Sequence, residues 1–317
     1  CAAADLDNDN DIDIVITTTN GHYLFENMLN NRSAQTVKKA DINQGLQIAT
    51  TELFAPAKKI AGIDENDYPV HALLSDIDGD GDIDIYSSHF IKYQRGSRTA
   101  QMSQGFDGLT KNEFRAELFD SIPNKLLLNE SNLQFKLSEQ FPTLNSGIGR
   151  SIASQIININ HDAYPDLLVL NSFDSRSRLF IGSQSGYQEA SGEFSQFSVD
   201  NMQGFAQSQL QSRTSFIGKV SPEIAYISRA AGNKNILKQR VNNSTHWQVI
   251  TASETDKSNA LFRSDWSALI RDFDLNSYPD IFVAAGMTKT SLDSKHVMLG
   301  QNNQVYWGGE TSYSTVA

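Results

Sequence analysis

The sequence predicts an all-β repeat protein, and three observations support this prediction. A nine-residue acidic loop occurs four times, each copy leads into a short apolar run, and the copies recur along the whole chain. Short runs rich in β-branched and aromatic residues are typical of strands. The repeating unit is therefore predicted to be a strand, an acidic loop and a second strand.

The acidic loops, at 5–13, 76–84, 158–166 and 272–280, carry side-chain oxygens at positions one, three, five and nine. Calcium takes six to eight oxygen ligands, and a loop wrapped around the ion presents alternate side chains inward, while position seven can use its backbone carbonyl. The pattern predicts about four structural calcium ions. The predicted ligands are Asp5, Asp7, Asp9, Asp11, Asp13, Asp76, Asp78, Asp80, Asp82, Asp84, Asn158, Asn160, Asp162, Tyr164, Asp166, Asp272, Asp274, Asn276, Tyr278 and Asp280.

Position six of each loop must turn sharply. Asn10 and Gly81 do this easily because they tolerate a positive φ. Ala163 and Ser277 tolerate it less well, so we expect the third and fourth loops to turn differently or to bind more weakly. The alternative is that the loops are acidic turns with no ion, because Asp and Asn favour turns through their own hydrogen bonds.

The residues after the loops exclude an EF-hand, which would place a bidentate Glu at position twelve, on a following helix. Position twelve is instead Ile16, Ser87, Val169 or Val283, inside the apolar runs. The loops are therefore predicted to join strands. Calcium is predicted to be structural, because no loop leaves an obvious open position beside a base.

A fifth, degenerate copy of the unit lies at 216–226. Its Glu223 stands midway between Asp166 and Asp280, at two equal intervals of 57 residues. The copy has lost the preceding ligands, so we expect no ion there and expect Lys219 to supply the missing positive charge. The earlier intervals are longer, which predicts insertions in the first two units. Repeat periods of this size indicate propeller blades or a solenoid.

A second recurring segment, apolar and closing on Asn or Gly, is predicted to be the third strand of each unit. Its copies are 23–27, 125–129, 178–182 and 296–300, and Phe135, Tyr187 or Val305 follows to mark a fourth strand. Four short antiparallel strands make one blade of a β-propeller. We therefore predict one propeller domain over 1–317, with blades at about 1–70, 71–150, 151–210, 211–262 and 263–317.

These motifs resemble the FG-GAP or VCBS repeats of β-propellers, as in the head of integrin α chains, and more closely the ASPIC/UnbV and cartilage acidic protein type. The resemblance rests on the acidic loops at 5–13 and 76–84, the Tyr-Pro-Asp endings at 164–166 and 278–280, and the Leu-Phe-x-Asn strand at 24–27. It implies calcium at the blade loops of a secreted or surface propeller used for adhesion or ligand binding. Such propellers usually have about seven blades, so the five expected here form either a smaller ring or part of a longer propeller.

The formal charge of −11 would discourage binding to nucleic acid or an anionic membrane. Much of that charge lies in the loops, so bound calcium would neutralise most of it. No apolar run is long enough for a transmembrane helix. Cys1 followed by Ala2 admits a bacterial lipid anchor, and extracellular calcium modules bind at about 0.1–1 mM, which favours an extracellular, cell-surface or periplasmic location.

The insertion at 88–122 is the expected site for a partner, because loops on a rigid scaffold carry binding surfaces. Its stretch 89–98 is basic and aromatic and suits an anionic glycan or an acidic protein, or it is a solvated loop packing its own aromatics. The predicted function is a binding or adhesion module. The alternatives are a polysaccharide-binding or lyase-type propeller, with His89, Tyr93 and Arg95 as candidate residues, and a structural subunit of a surface assembly.

Overall fold

The computed structural model describes most of the sheet-forming residues and the four acidic loops. The described residues are 1–29, 53–64, 66–94, 97, 118–145, 149–172, 175–198, 202–207, 224–229, 236–240, 246–249, 265–285, 287–290, 297–300, 302–309 and 313–315. Most of the insertion at 88–122, including Arg95, lies outside them, as does the degenerate copy up to Glu223 with Lys219.

The described chain is all-β, as predicted, apart from a helical turn at Pro142–Asn145 and a 3-10 helix at Gly192–Phe197. Its strands form five four-stranded sheets. In four of them each strand lies beside its neighbours in the sequence, and in the fifth a separate hairpin intervenes between the second and third strands. The first sheet contains β1 (Ala2–Ala4), β2 (Asp13–Thr18), β3 (Gly21–Phe25) and β4 (Lys58–Lys59). The second contains β5 (Pro69–Ser75), β6 (Asp84–His89), β7 (Lys125–Asn129) and β8 (Phe135–Leu137).

Three more four-stranded sheets follow. The third contains β9 (Arg150–Ile157), β10 (Asp166–Ser172), β11 (Arg178–Ile181) and β12 (Gln188–Glu189). The fourth contains β13 (Met202–Gln207), β14 (Ile224–Arg229), β15 (Ile236–Arg240) and β16 (Trp247–Val249). The fifth contains β17 (Asp265–Arg271), β18 (Asp280–Ala285), β21 (Gln304–Gly308) and β22 (Tyr313–Thr315), and a separate hairpin pairs β19 (Met287–Thr290) with β20 (Val297–Gly300).

The acidic loops join the first two strands of the first, second, third and fifth sheets, which confirms the predicted strand, loop, strand order. Pairing is antiparallel in the first sheet, where Ala4 lies opposite Asp13, and in the second, where Ser75 lies opposite Asp84. In the fifth sheet Arg271 lies opposite Asp280. Each of these loops therefore closes a tight connection, with its ninth residue as the first residue of the second strand.

One strand prediction was wrong. The segment 296–300 was predicted to be the third strand of the last unit, with Val305 marking the fourth, but Val297–Gly300 pairs with Met287–Thr290 in the hairpin. The third strand is Gln304–Gly308, paired to β18 with Ile281 opposite Tyr306. Both segments are apolar and end on Gly, so the local pattern could not separate them. The choice is made by packing, because Tyr306 lies against a buried cluster formed with β14 and β18.

The chain divides into two compact units, Cys1–Ile156 with Phe180–Gln188, and Ile157–Leu179 with Glu189–Ala317. In the first unit, Leu6 of the first acidic loop is buried with Val15 of β2 and with Ile85 and Leu127 of the second sheet. Burying such a side chain contributes about 1.5–3 kcal/mol, so the core that holds the two sheets together also holds this loop. Among the described residues, no helix has the length and apolarity needed to cross a membrane.

In the second unit, the described core contains Ile224 and Tyr226 of the fourth sheet and Ile281 and Val283 of the fifth. The ring of Tyr226 lies 6.4 Å, centroid to centroid, from that of Tyr306. Ile281 and Val283 alternate along β18 and are both buried, as expected for a strand with one face in the core. This packing places Asp280, the residue before them, at the buried end of its loop.

Candidate metal sites

Three of the four loops gather a group of carboxylates that could hold a metal ion. The members of each group occupy positions one, three and nine of the loop, and their offered oxygens all lie within 4.8 Å of one another. The groups are Asp5, Asp7 and Asp13, then Asp76, Asp78 and Asp84, then Asp272, Asp274 and Asp280. The alternate spacing seen in the sequence thus does place these side chains together.

The Asp at position nine has the same burial and the same loop-closing hydrogen bond in all four loops. Asp13, Asp84, Asp166 and Asp280 are all buried. In each loop one carboxylate oxygen, Oδ2, accepts a hydrogen bond from the backbone N–H of position two. The donors are Leu6 at 2.9 Å, Ile77 at 2.9 Å, Ile159 at 2.7 Å and Phe273 at 2.7 Å. This bond closes all four loops in the same way.

The other oxygen of position nine is bound by the residue that ends the third strand region. Oδ1 of Asp13, Asp84 and Asp280 accepts the backbone N–H of Asn27 at 2.8 Å, Asn129 at 3.0 Å and Gly308 at 2.7 Å, respectively. The sequence pattern had marked these segments as closing on Asn or Gly, but without assigning a role to the closing residue. Its role is to clamp the loop to the third strand.

Asn and Gly perform this closing role differently. The Nδ2 groups of Asn27 and Asn129 donate to the carbonyls of position eight, Ile12 at 3.1 Å and Ile83 at 3.3 Å. At Gly308 no side chain fits, because a Cβ would lie 2.4 Å from the carbonyl oxygen of Pro279, the position-eight residue of that loop. The close approach explains why this third strand ends on Gly.

Position five shapes the loop. Its Oδ1 accepts the backbone N–H of position seven, two residues on, in a turn characteristic of Asp and Asn. The accepting residues are Asp9 at 2.9 Å, Asp80 at 2.9 Å, Asp162 at 2.8 Å and Asn276 at 2.8 Å, bound by the N–H groups of Asp11, Asp82, Tyr164 and Tyr278. The backbone N–H of position seven is thus held inside the loop, while the use of its carbonyl as a ligand stays a prediction.

The loop backbone is left-handed at two positions. At position six, Asn10 has φ 68°, Gly81 has φ 97° and Ser277 has φ 75°, whereas Ala163 is not among the positive-φ residues. The third loop therefore turns differently, as expected, but the fourth turns like the first two. Position four is also left-handed, which the sequence had not indicated, and there the residues are Asn8, Gly79, His161 and Leu275.

Leu275 and Ser277 are unfavourable residues for a left-handed backbone. Leu275 is 84% exposed, so burial of its side chain does not offset the cost of this conformation. Backbone strain of this kind is retained where the surrounding structure imposes it. In this loop both oxygens of Asp272 accept backbone N–H groups, from Asn276 at 3.0 Å and Ser277 at 2.9 Å. The acidic residue at position one therefore holds the strained turn.

The third loop replaces two carboxylates with amides. The Nδ2 group of Asn158 donates to the carbonyl of Asp162 at 2.8 Å, and that of Asn160 donates to Asp162 Oδ2 at 2.7 Å. Its carboxylates are those of Asp162 and Asp166, so it does not form an acidic triad. Of the four predicted sites, this one has the weakest set of anionic ligands.

Burial makes three carboxylates of the first two loops costly to ionise. It raises the pKa of Asp84 to about 6, against two backbone hydrogen bonds that lower it. Burial also raises the pKa of Asp13 and of Asp78, with the neighbouring charges of Asp11 and Asp80 as further causes. A divalent cation would reverse this effect, because its charge favours the ionised form. The loops are therefore electrostatically suited to a cation.

Of the three residues considered for lyase chemistry, His89 and Tyr93 are described, whereas Arg95 lies outside the described residues. His89 is fully buried, with Nδ1 at 2.9 Å from the carbonyl of Pro123 and Nε2 at 2.8 Å from Ser87 Oγ. Tyr93 packs against other rings, with its centroid 5.5 Å from those of Tyr68 and Phe119. Both side chains contribute to packing at the base of the insertion.

No family model matches the chain, and no curated protein matches it. The resemblance to FG-GAP and VCBS repeats therefore rests on the loop residues and the strand pattern. The structure supports its coarser content, namely four-stranded antiparallel sheets carrying acidic clusters.

Proposed function

We propose that this chain is a calcium-stabilised β-propeller of the FG-GAP or VCBS type that serves as an extracellular or cell-surface binding module for a protein or glycan. The observation that carries the proposal is the repeated loop, in which three aspartates converge and the ninth residue is bound both by the second residue of the loop and by the end of the third strand. The same arrangement of carboxylates, with a buried Asp at position nine, recurs in three loops, and this recurrence supports a common ligand for them.

The donor set favours calcium. All members of the three groups are carboxylates, and the backbone carbonyl of position seven adds a further oxygen; calcium takes six to eight such oxygens in flexible geometry. Zinc prefers His and Cys ligands, which these groups lack. The residues Asp5, Asp7 and Asp13 and their counterparts would hold the ion, and its charge would offset the mutual repulsion of the clustered aspartates.

The strand order supports the propeller. Five four-stranded sheets succeed one another along the described chain. Four are built from consecutive strands, as propeller blades are, and in the fifth a hairpin lies between the second and third strands. The loops lie at equivalent places in four of them. In the first, second and fifth sheets the position-nine carboxylate is bound by the end of the third strand in the same way, which supports the same dependence of these sheets on their loops.

A binding role suits the insertion at 88–122. Where it is described, Ile91 and Phe119 are buried, and Tyr68, Phe90 and Tyr93 pack against them. This apolar cluster packs the two described ends of the insertion together beside Tyr68, which precedes β5, and loops on a rigid scaffold commonly carry binding surfaces. The basic stretch within the insertion favours an anionic glycan or an acidic protein as the ligand.

The proposal is tested by calcium titration calorimetry and parallel melting curves on the wild-type chain and on a variant with Asp76→Ala and Asp78→Ala. We expect dissociation constants of about 0.1–1 mM, as in extracellular modules. Each site filled at 100 times its dissociation constant adds about 2.7 kcal/mol of stability. The double variant is expected to lose one site and the corresponding rise in melting temperature.

The matched control removes two carboxylates outside the loops, Asp64→Ala with Glu130→Ala, whose side chains are 84% and 59% exposed. It is expected to retain every site. If millimolar calcium neither binds nor raises the melting temperature of the wild-type chain, the loops are acidic turns and the proposed function is wrong.

A further inference from the structure

The first two acidic loops are connected through one buried side chain, Asn129 at the end of β7. Its backbone N–H donates to Asp84 Oδ1, in the second loop, at 3.0 Å. Its Nδ2 group donates at 2.8 Å to the carbonyl of Leu6, which is position two of the first loop, and at 3.3 Å to the carbonyl of Ile83 in the second. One side-chain conformation therefore holds both loops.

A second connection is made at the surface of the loops by Asp82. Its Oδ1 accepts from Asn8 Nδ2, in the first loop, at 2.7 Å, and its Oδ2 accepts from Ser131 Oγ at 2.8 Å. The third and fourth loops carry Tyr164 and Tyr278 at this position, so the loop itself does not require a carboxylate there. The carboxylate of Asp82 instead joins the first loop to the second.

The connection through Asn129 reaches the position-nine carboxylate of each proposed site. Leu6 donates its own N–H to Asp13, the position-nine residue of the first loop, while its carbonyl is bound by Asn129. Asn129 also binds Asp84, the position-nine residue of the second loop. The path from one position-nine carboxylate to the other is thus Asp13, Leu6, Asn129 and Asp84.

Burying the polar side chain of Asn129 has an energetic cost, which indicates that this side chain does more than fill space. Asn129 is 2% exposed, and its Oδ1 has no hydrogen-bond partner among the described residues. Buried polar atoms are normally satisfied, so an apolar side chain would be less costly here if packing were the only requirement. The Nδ2 contacts to both loops are what an apolar residue could not provide.

We propose that calcium binding to the first and second loops is positively cooperative, with Asn129 and the Asn8–Asp82 pair as the coupling elements. This rests on the proposed function, because it requires that both loops bind calcium. An ion in the second loop would fix Asp84 and with it Asn129, so the first loop would begin from a more ordered state. Ordering that is shared by two ligands gives positive coupling, and the coupling is reciprocal.

The test measures each site separately in the full-length chain, by calcium titration of ¹⁵N-labelled protein. The amide of Asn10, bonded to Asp5 Oδ2 at 3.0 Å, reports on the first loop, and that of Gly81, bonded to Asp76 Oδ2 at 3.1 Å, on the second. The second site is removed by Asp76→Ala with Asp78→Ala. We expect this to weaken calcium binding at the first loop about 5-fold or more.

The coupling residues are then changed in the same background. Asn8→Gly removes the hydrogen bond to Asp82 without backbone strain, because Gly79 occupies the equivalent position of the second loop. Asn129→Ala removes the Nδ2 hydrogen bonds to Leu6 and Ile83 and keeps the backbone bond to Asp84. With both changes, removing the second site is expected to alter the dissociation constant of the first less than about two-fold. Asn8→Gly alone provides a milder variant, in which the coupling is expected to fall part of the way.

Removing Asp272 and Asp274 by substitution with Ala is the matched control and is expected to leave binding at the first loop unchanged. The inference is overturned if the first loop binds equally well with and without the second site, or if the coupling survives in the Asn8→Gly, Asn129→Ala variant. Either result would leave calcium binding itself intact. If neither the Asn10 nor the Gly81 amide shifts at millimolar calcium, the proposed function is wrong and the coupling with it.

Discussion

Replacing Asp84 with Asn separates its hydrogen bonds from its proposed role in holding calcium. The carboxylate is 1% exposed and accepts the N–H groups of Ile77 and Asn129. An amide keeps one acceptor oxygen, so one buried N–H loses its partner, at a cost of about 1–3 kcal/mol. This is the destabilisation expected from hydrogen bonding alone.

A second effect of Asp84→Asn opposes the first when calcium is absent. Burial raises the pKa of Asp84 from 3.8 to about 6, so carrying its charge at neutral pH costs the folded protein roughly 3 kcal/mol, at about 1.4 kcal/mol per unit. The amide carries no charge and avoids this cost. In a chelator at pH 7.5 the two effects nearly cancel, and we expect the free energy of unfolding of the variant to lie within about 2 kcal/mol of that of the wild type.

Calcium is expected to stabilise the wild type more than the Asp84→Asn variant. A site filled at 100 times its dissociation constant stabilises the wild type by about 2.7 kcal/mol, and the variant lacks a ligand of that site. The gap between the two melting temperatures, wild type minus variant, should therefore be larger in saturating calcium than in chelator. Asp64→Asn, the same change at an exposed carboxylate, serves as the control. A gap of the same size in both buffers would refute the reasoning, because Asp84 would then act through its hydrogen bonds alone.

Two further predictions concern parts of the fold that need no calcium and are tested in chelator. Gly308→Ala is expected to destabilise the chain by about 1–3 kcal/mol in urea titrations, because the new Cβ would lie 2.4 Å from the Pro279 carbonyl oxygen; an unchanged midpoint would contradict the close approach. Burial lowers the pKa of His22 from 6.5 to about 3 and that of His89 to about 4. Since both values lie below the unfolded value, their contribution is complete above pH 6.5 and is lost as the pH falls, by about 2 kcal/mol for each histidine between pH 7 and pH 5. His22→Gln should flatten this dependence, and His246→Gln, at an exposed histidine, should not; an equal slope in all three proteins would exclude the buried histidines as its source.

The acidic loops could be predicted from the sequence because their geometry is local. Alternate side chains of a tightly turned loop share one side, so the spacing of Asp76, Asp78 and Asp84 was enough to place their carboxylates together. The turn at position six followed from the tolerance of Asn10 and Gly81 for positive φ. The strand after each loop followed from its apolar run, since β-branched residues suit a half-buried pleated surface.

The sequence pattern failed where two segments had the same local character. The segments 296–300 and 304–308 are both apolar and both end on Gly, yet the second one pairs with β18. What distinguishes them is distant in sequence: Tyr306 meets Tyr226, and Gly308 fits beneath Pro279 and donates to Asp280. No local propensity contains these contacts.

The sequence by itself determined the acidic clusters and the strands that flank them, because each depends on residues within a few positions of one another. Only the tertiary structure decided which residues clamp position nine, and that the Asn129 side chain spans from the second loop to the first. It also showed that the side chain of Asp82, at a predicted ligand position, is linked to Asn8. The contacts of Asn129 and of the Asn8–Asp82 pair join residues more than 40 positions apart, so they form only when the strands and sheets pack and bring the polar groups within hydrogen-bonding distance.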